Sequence, residues 1–293
     1  DAPNIFIASR TTSLYSVPPM IYGNKPTDGG FLFLTPEEYE AVTLKEPDIK
    51  PYIKQIYGAT EYINNKLRYC LWLTNASPDI IRKSDFIRER VKKVQEFRLD
   101  SPKEATKRSA ATPTLFQEIR QPDKPYIIVP RHSSENRRYI PFGFVSPDII
   151  VNDAVQIIPD ASTYQFGIMM SNVHMAWTRA VCGRIKSDYR YSKDIVYNNF
   201  PWPAPTEQQK AKIEQTAQAI LDARALYPDS SLADLYDELT MPLELRKAHQ
   251  NNDRAVMDAY GFTKGTAART SESACVAELM KLYQQKVSAA QSK

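Results

Sequence analysis

The chain has 293 residues, 38 basic against 34 acidic side chains for a formal charge of +4, 42% hydrophobic residues and three cysteines. Such a balance suits one large or two modest packed cores and excludes collagen-like, coiled-coil, disulfide-scaffold and mostly disordered chains. The longest apolar runs fall far short of the ~18 residues a membrane helix needs, and the odd, widely spaced Cys70, Cys182 and Cys275 point away from a disulfide framework or a CxxC metal site and toward a reducing, cytoplasmic compartment.

Up to residue 81, short apolar stretches such as Phe31-Leu32-Phe33-Leu34 and Tyr69-Cys70-Leu71-Trp72-Leu73 alternate with Pro and Gly. They predict strands joined by turns, with a short helix from Thr35-Pro36-Glu37 onward. Ser84 to Leu99 sets Phe86, Ile87, Val91, Val94 and Phe97 at helical spacing, with Arg88, Arg90, Lys92 and Lys93 largely outward, which predicts an amphipathic basic helix. Between Tyr126 and Ile158 the β-branched runs Ile127-Ile128-Val129, Ile149-Ile150-Val151 and Val155-Gln156-Ile157-Ile158 are bounded by prolines. Short strands of this kind suit a compact, twisted sheet better than a parallel Rossmann sheet. Met169, Val173, Ala176, Trp177 and Ala180 return to helical spacing and read as core.

After Pro201-Trp202-Pro203-Ala204-Pro205 the character changes. Thr206 and Gln209 make a capping box for a helix through Ile213, Ala217, Ile220, Leu221 and Arg224, ended by Pro228. Leu232, Leu235, Tyr236 and Leu239 predict a second helix, and Leu243, Leu245, Ala248, Ala255, Val256 and Ala259 a third, stopped near Gly261. The expected fold class is therefore α+β: a mixed α/β unit with a twisted sheet over 1–205, then a small all-α unit over 206–262 and a polar tail over 263–293 with room for a last helix.

Charge is segregated along the chain. Residues 82–138 carry 15 basic and 8 acidic side chains, a balance of +7, whereas residues 206–262 carry 6 and 10, a balance of −4. The first segment is the candidate for polyanion binding, against the plain alternative of a solvated helix face. With 9 glycines and no GxGxxG or GxxxxGK[ST], the sequence holds no phosphate-cradling loop. His132, His174 and His249 have no metal-ligand spacing and read as structural, and there is no GxSxG. Asn199-Phe200-Pro201-Trp202 is only superficially like the Asn-Pro-Pro-aromatic motif of amino-group methyltransferases, and Pro47-Asp48-Ile49-Lys50 lacks the second acidic position of a nuclease cluster. No catalytic residue and no metal site is assigned.

The most informative segment is Gly183-Arg184-Ile185-Lys186-Ser187-Asp188-Tyr189-Arg190-Tyr191-Ser192. If extended, it sends Lys186, Asp188 and Arg190 to one face and Ser187, Tyr189 and Tyr191 to the other. The plain reading is a surface ion-pair strip worth ~0–1 kcal/mol. The sharper one comes from base edges in the major groove: Lys186 can donate to guanine O6 and N7 while Asp188 accepts from cytosine N4, so the two read one G·C pair, and Arg190 reaches a neighbouring purine or a phosphate. Upstream, Arg131, Ser133, Ser134, Arg137 and Arg138 combine cations and hydroxyls on a loop between strands, a set suited to phosphate contacts that fix position without reading sequence; Arg184 joins them as a backbone contact.

The stretches Val17 to Gly30, Arg68 to Leu73, Gly183 to Ser192 and Val196-Tyr197-Asn198-Asn199-Phe200-Pro201-Trp202-Pro203 resemble the MmeI-like family of DNA methyltransferases, which includes the type IIL restriction-modification enzymes. The resemblance runs from the N-terminus to about Phe262 and implies a target-recognition domain followed by a helical C-terminal domain, with residues 1–16 as the connector from a methyltransferase domain. The opening Asp1-Ala2-Pro3 accordingly reads as a cut from a longer chain. By this resemblance, S-adenosylmethionine and the adenine-N6 chemistry belong to the parent's methyltransferase domain and not to these residues. The partners it implies are double-stranded DNA and, within the parent, the methyltransferase domain, with no membrane, in a bacterial cytoplasm on the nucleoid. The resemblance also implies that the base-reading pair falls on Lys186 and Asp188, with a second pair on Ala154 and Arg190, where Ala154 acts sterically. The competing class is a protein-interaction or scaffold fragment without DNA readout.

Overall fold

A computed structural model describes residues 6–291, so the first five residues of the expected connector lie outside it. In chain order the elements are β1 (Ile21–Tyr22), β2 (Phe33–Leu34), α1 (Pro36–Lys45), a 3-10 turn (Pro47–Tyr52), β3 (Ile53–Tyr57), α2 (Ala59–Asn64), β4 (Tyr69–Leu71), α3 (Pro78–Lys83), α4 (Asp85–Leu99) and α5 (Glu104–Ser109). There follow β5 (Tyr126–Pro130), β6 (His132–Ser133), β7 (Gly143–Val145), β8 (Ile150–Val151), β9 (Val155–Ile158), α6 (Thr163–Met169), α7 (Asn172–Val181), β10 (Gly183–Ile185) and β11 (Asp188–Arg190). A π-helical turn (Lys193–Tyr197) then leads to α8 (Glu207–Ala225), α9 (Leu232–Leu235), α10 (Leu243–Ala259), α11 (Ala267–Thr270) and α12 (Glu272–Gln291). The fold is α+β, a mixed region with sheets followed by a helical C-terminal region.

The chain forms two compact units. The smaller comprises Tyr22–Lys124 and Val145–Val155. Its sheet runs β2-β4-β3-β8, antiparallel except for the parallel β3–β8 pair, over a core that includes Leu32, Ile56, Leu71, Ile87 and Val94. Helix α4 starts where Ser84 accepts from the Ile87 N–H and lays Ile87 and Val94 into this core. The same helix buries Arg98 completely, and its guanidinium donates to the carbonyls of Pro26, Thr27, Ser109, Thr112 and Leu115 at 2.7–3.0 Å. Arg98 thus ties the turn after β1 to the segment beyond α5, in place of a backbone ladder.

The larger unit comprises the chain up to Ile21, Pro125–Phe144 and everything from Gln156 onward. Residue 205 marks a change of composition, but the packing runs on through it. Helix α8 lies against α6 so closely that a Cβ at Gly167 would stand 2.7 Å from Ile213 Cγ2, and Asn252 of α10 donates to the Gly167 carbonyl at 2.7 Å. The expected stripe from Met169 to Ala180 is split into two helices, because Ser171 leaves helical geometry and its hydroxyl caps α7 by accepting from the His174 N–H. The second helix predicted over Leu232 to Leu239 shrinks to the single turn α9, with Leu235 and Tyr236 buried and Leu239 95% exposed. Helix α10 ends before Gly261, whose φ of +74° takes the left-handed conformation that stops a helix. The polar tail does hold helices, α11 and α12.

Candidate nucleic-acid interface

The segment 183–192 is not one extended strand. It is a hairpin: β10 and β11 pair antiparallel with Ile185 opposite Asp188, leaving Lys186 and Ser187 as a two-residue turn. Lys186 takes φ +55°, a conformation that costs a non-glycine residue about 1 kcal/mol and recurs at functional sites. Lys186 therefore sits at the tip of the hairpin and does not share a strand face with Asp188. From Asp188 onward the predicted alternation holds: Asp188 and Arg190 are exposed, while Tyr189 and Tyr191 are buried.

Strand β11 also pairs with β6, setting Tyr189 opposite Ser133 and Arg190 opposite His132. Directly opposed residues share a face. One face of this three-stranded sheet holds Tyr189 and Ser133, both buried, and, across from Tyr189, the exposed Arg184. The other carries Asp188, Arg190 and His132 outward. The inward face rests on aromatic packing. Tyr191, 1% exposed, meets Phe142 edge to face and bonds His174 Nε2 through its hydroxyl at 2.9 Å, while its N–H donates to the Arg131 carbonyl. Burial pushes His174 down to about 3, so it stays neutral.

Several contacts hold the hairpin in place. Asp188 Oδ1 accepts from the Glu135 N–H at 3.2 Å, which fixes the carboxylate against the loop that follows β6. Arg184 lays its guanidinium over the Tyr189 ring at 4.0 Å and donates to the Ser187 carbonyl at 3.0 Å, bracing the tip. Arg137 donates to Ser133 Oγ at 3.3 Å, and its pKa lies below the ordinary value because of burial, with Asp188 and Asp237 opposing. Ser133, expected from the sequence to contact phosphate, is 4% exposed, and its hydroxyl accepts from Arg137. Ser134, Arg131 and Arg137 are half-buried and Arg138 is exposed, its guanidinium 6.0 Å from the Tyr139 ring centroid. Ala154 is exposed in the turn between β8 and β9, its N–H donating to Asn152 Oδ1 at 2.9 Å, and it belongs to the smaller unit.

Beside this loop a cleft of about 550 Å³ is lined by Arg137, Arg138, Arg179, Tyr189, Arg269 and Glu272, among others. Two of its cations are already committed, Arg179 to Glu272 at 2.7 and 2.8 Å and Arg269 to Asp258. Behind it Asp253 accepts from the Tyr139 hydroxyl at 2.6 Å and the Asn172 N–H at 2.8 Å, and burial raises its carboxyl to about 6.

The expected basic helix exists, but its cations are spent locally. On α4, Arg88 pairs with Asp85, Lys93 with Glu89, Lys92 with Glu96 and Arg90 with Glu38. Nearby, Arg82 and Lys83 share Asp79, and Arg120 pairs with Glu118. The +7 balance of residues 82–138 therefore overstates the charge this helix can offer a polyanion.

The motif Val196 to Pro203 also finds its place. Asn199 donates through Nδ2 to the carbonyls of Ala8, Asp194 and Ile195 and accepts from Arg10 Nε, while Asn198 donates to the Arg10 carbonyl. These asparagines clasp the N-terminal segment of the chain. The buried His174 and His249 serve the core, whereas His132, which sequence reasoning placed on a loop and set aside, is on the outward face. A two-residue strand is too short to display a period, so no local signal in the sequence marked His132 as outward. Among the described residues, no helix is long and apolar enough to cross a membrane and no group of three or more His, Cys, Asp or Glu could hold a metal ion.

Comparison with known proteins places this arrangement. Residues 1–204 match the family described as MmeI, target recognition domain, and residues 205–290 match MmeI, C-terminal domain. The chain is 40% identical over 285 residues to DNA methyltransferase A of Bacillus subtilis (strain 168), covering 97% of this chain and 32% of that protein. It also superposes with a TM-score of 0.93 and 45% identity on the type IIL restriction-modification enzyme MmeI, solved in complex with DNA, covering 98% of this chain and 38% of that one. The chain thus spans about a third of the length of these relatives. With family matches along nearly its whole length, and with the same fold as a relative, the chain belongs to the MmeI family, as its target recognition and C-terminal domains.

Proposed function

We propose that this chain is the sequence-reading module of an adenine-N6 DNA methyltransferase of a restriction-modification system. It docks on double-stranded DNA, reads base edges in the major groove and presents one adenine for extrusion into the pocket of the parent's methyltransferase domain. The observation that carries this reading is the hairpin: a cation at a left-handed tip and an exposed carboxylate beside it, on a sheet whose opposite face is packed on buried rings. Such a platform fixes the backbone that carries the charged groups, which discrimination between base edges requires.

In this reading Lys186 donates to guanine and Asp188 accepts from the paired cytosine. Arg190 takes a neighbouring purine, and Ala154 shapes the adjacent position by its small size. Arg131, Ser134, Arg137, Arg138 and Arg184 supply phosphate contacts that set register. Residues 1–205 do the reading, and residues 206–262 buttress it and close on the duplex. S-adenosylmethionine, which supplies the methyl group, is held elsewhere in the parent. The sequence holds no glycine-rich cofactor loop, so neither cofactor nor catalysis is assigned to these residues. The module works in the cytoplasm, on the nucleoid.

The test is to exchange the pair in the full-length parent, Lys186→Glu with Asp188→Arg, and map methylated sites across a genome. One base of the site changes from the guanine strand sense to the cytosine sense, with the other positions kept. An unchanged site refutes the assignment.

A further inference from the structure

The pairing of β6 with β11 brings His132 directly across from Arg190 on the outward face, although the two lie far apart in sequence. Opposed residues on one face have Cβ atoms roughly 4.5–5.5 Å apart, within mutual reach of an imidazole and a guanidinium. On the other side of Arg190 the register places Gly183, where an added Cβ would meet nothing within 4 Å. Arg190 therefore has a side-chain neighbour toward β6 and open space toward β10. His132 is itself exposed, whereas its strand neighbour Ser133 is buried.

We propose that His132 is a further specificity-determining residue, contacting the edge of a base pair next to the one that Arg190 faces. The proposal rests on the reading of this hairpin given under Proposed function. It adds a third strand to the reading surface, which then runs from the tip at Lys186 through Asp188 and Arg190 to His132.

The chemistry of the ring suits that place. Arg190 and Lys186 can only donate and Asp188 can only accept, but a neutral imidazole carries one donor and one acceptor. His132 is held below its ordinary pKa first by partial burial and then by Arg131 and Arg190 beside it, against the pull of Asp188. Partial burial and the two arginines thus favour the neutral ring, which can offer both groups to a base pair. A neutral ring gains little from a phosphate and more from a base edge, where N7 or O6 accepts and an amino group donates. The ligand class is the major-groove edge of a base pair in duplex DNA.

The experiment compares His132→Ala and His132→Asn with the Lys186→Glu and Asp188→Arg exchange, each in the full-length parent, by methylation mapping and by binding to duplexes varied at one position at a time. His132 is exposed, so its variants are expected to keep the parent's melting temperature. Loss of discrimination at a single base pair, different from the one moved by the exchange and by roughly 5- to 150-fold, the range of one base contact, supports the proposal. An unchanged map overturns it, as does uniform weakening on all sequences with a shallower salt slope, which would make His132 a phosphate contact. The two assignments fail separately: a site that moves in the exchange but not in the His132 variants sinks only His132, and a site that ignores the exchange sinks the pair assignment, whatever His132 does.

Discussion

Helix α4 and the β10–β11 hairpin are both rich in charge, yet the chain treats them oppositely. On α4 most cations lie within a turn of a carboxylate and pair with it, or, like Arg98, are buried against carbonyl oxygens. Exposed pairs of this kind are worth only ~0.2–1 kcal/mol each, but they cancel the field a polyanion would feel. On the hairpin, Lys186, Asp188 and Arg190 stand outward on a sheet anchored from behind by Tyr189 and Tyr191. The difference teaches that a count of lysines and arginines locates charge, whereas the distance to the nearest carboxylate decides whether that charge is available to a ligand.

The sharpest way to break this comparison is at Arg98. If the cations of α4 are structural, Arg98→Met strips five carbonyls of their donor and lowers the stability of the smaller unit by roughly 3 kcal/mol or more. Denaturant unfolding measures this. A variant with wild-type stability but weakened DNA binding would reverse the roles assigned to the two regions.

Acid should separate the two units next. His174 and His249 are buried with pKa values depressed well below the ordinary 6.5, the first to about 3, so their unfolded forms bind protons that the folded forms refuse. Their contribution to stability is full above pH 6.5 and is lost as pH falls toward 3. Asp253 acts in the other direction between 3.8 and about 6, since its folded carboxyl holds a proton longer than the unfolded one, but it is one group against two. The larger unit should therefore lose on the order of 2 kcal/mol between pH 7 and pH 5. The smaller unit contains no histidine and should not share that loss. Unfolding followed by hydrogen exchange at the two pH values resolves them, and His174→Gln should flatten the slope for the larger unit.

The smallest effect concerns salt. Removing Arg137 and Arg138 should make the slope of log K against log salt shallower by roughly one unit per lost phosphate contact, with all sequences weakened alike. Removing Lys92 and Lys93, which already pair with Glu96 and Glu89, should leave the slope as it was. Equal changes from both pairs would mean that local pairing does not withdraw α4 from DNA.

Much of the fold was legible because its signals are local. The capping box at Thr206 and Gln209, the stop near Gly261 and the core stripe of α4 depend on residues within a turn or two of one another, and each appears where the spacing predicts it. Lengths misled where tertiary contacts outweighed spacing: Ser171 divides the predicted stripe, and Leu239 leaves the helix that its spacing suggested. The candidate site was half legible. Alternation from Asp188 to Tyr191 gave the outward and inward sides, but a turn at Lys186-Ser187 carries no glycine, asparagine or proline to announce it.

What the sequence determined by itself was the order of elements, the lack of a phosphate loop and the short run of opposite charges behind which two tyrosines alternate, because helical and strand periods are properties of neighbouring residues. What only the tertiary structure decided was company: which cations on α4 meet a carboxylate, why Asn199 holds the chain near Ala8, and that His132 lies across from Arg190. Those contacts join residues distant along the chain, and no local period encodes which distant partner closes them.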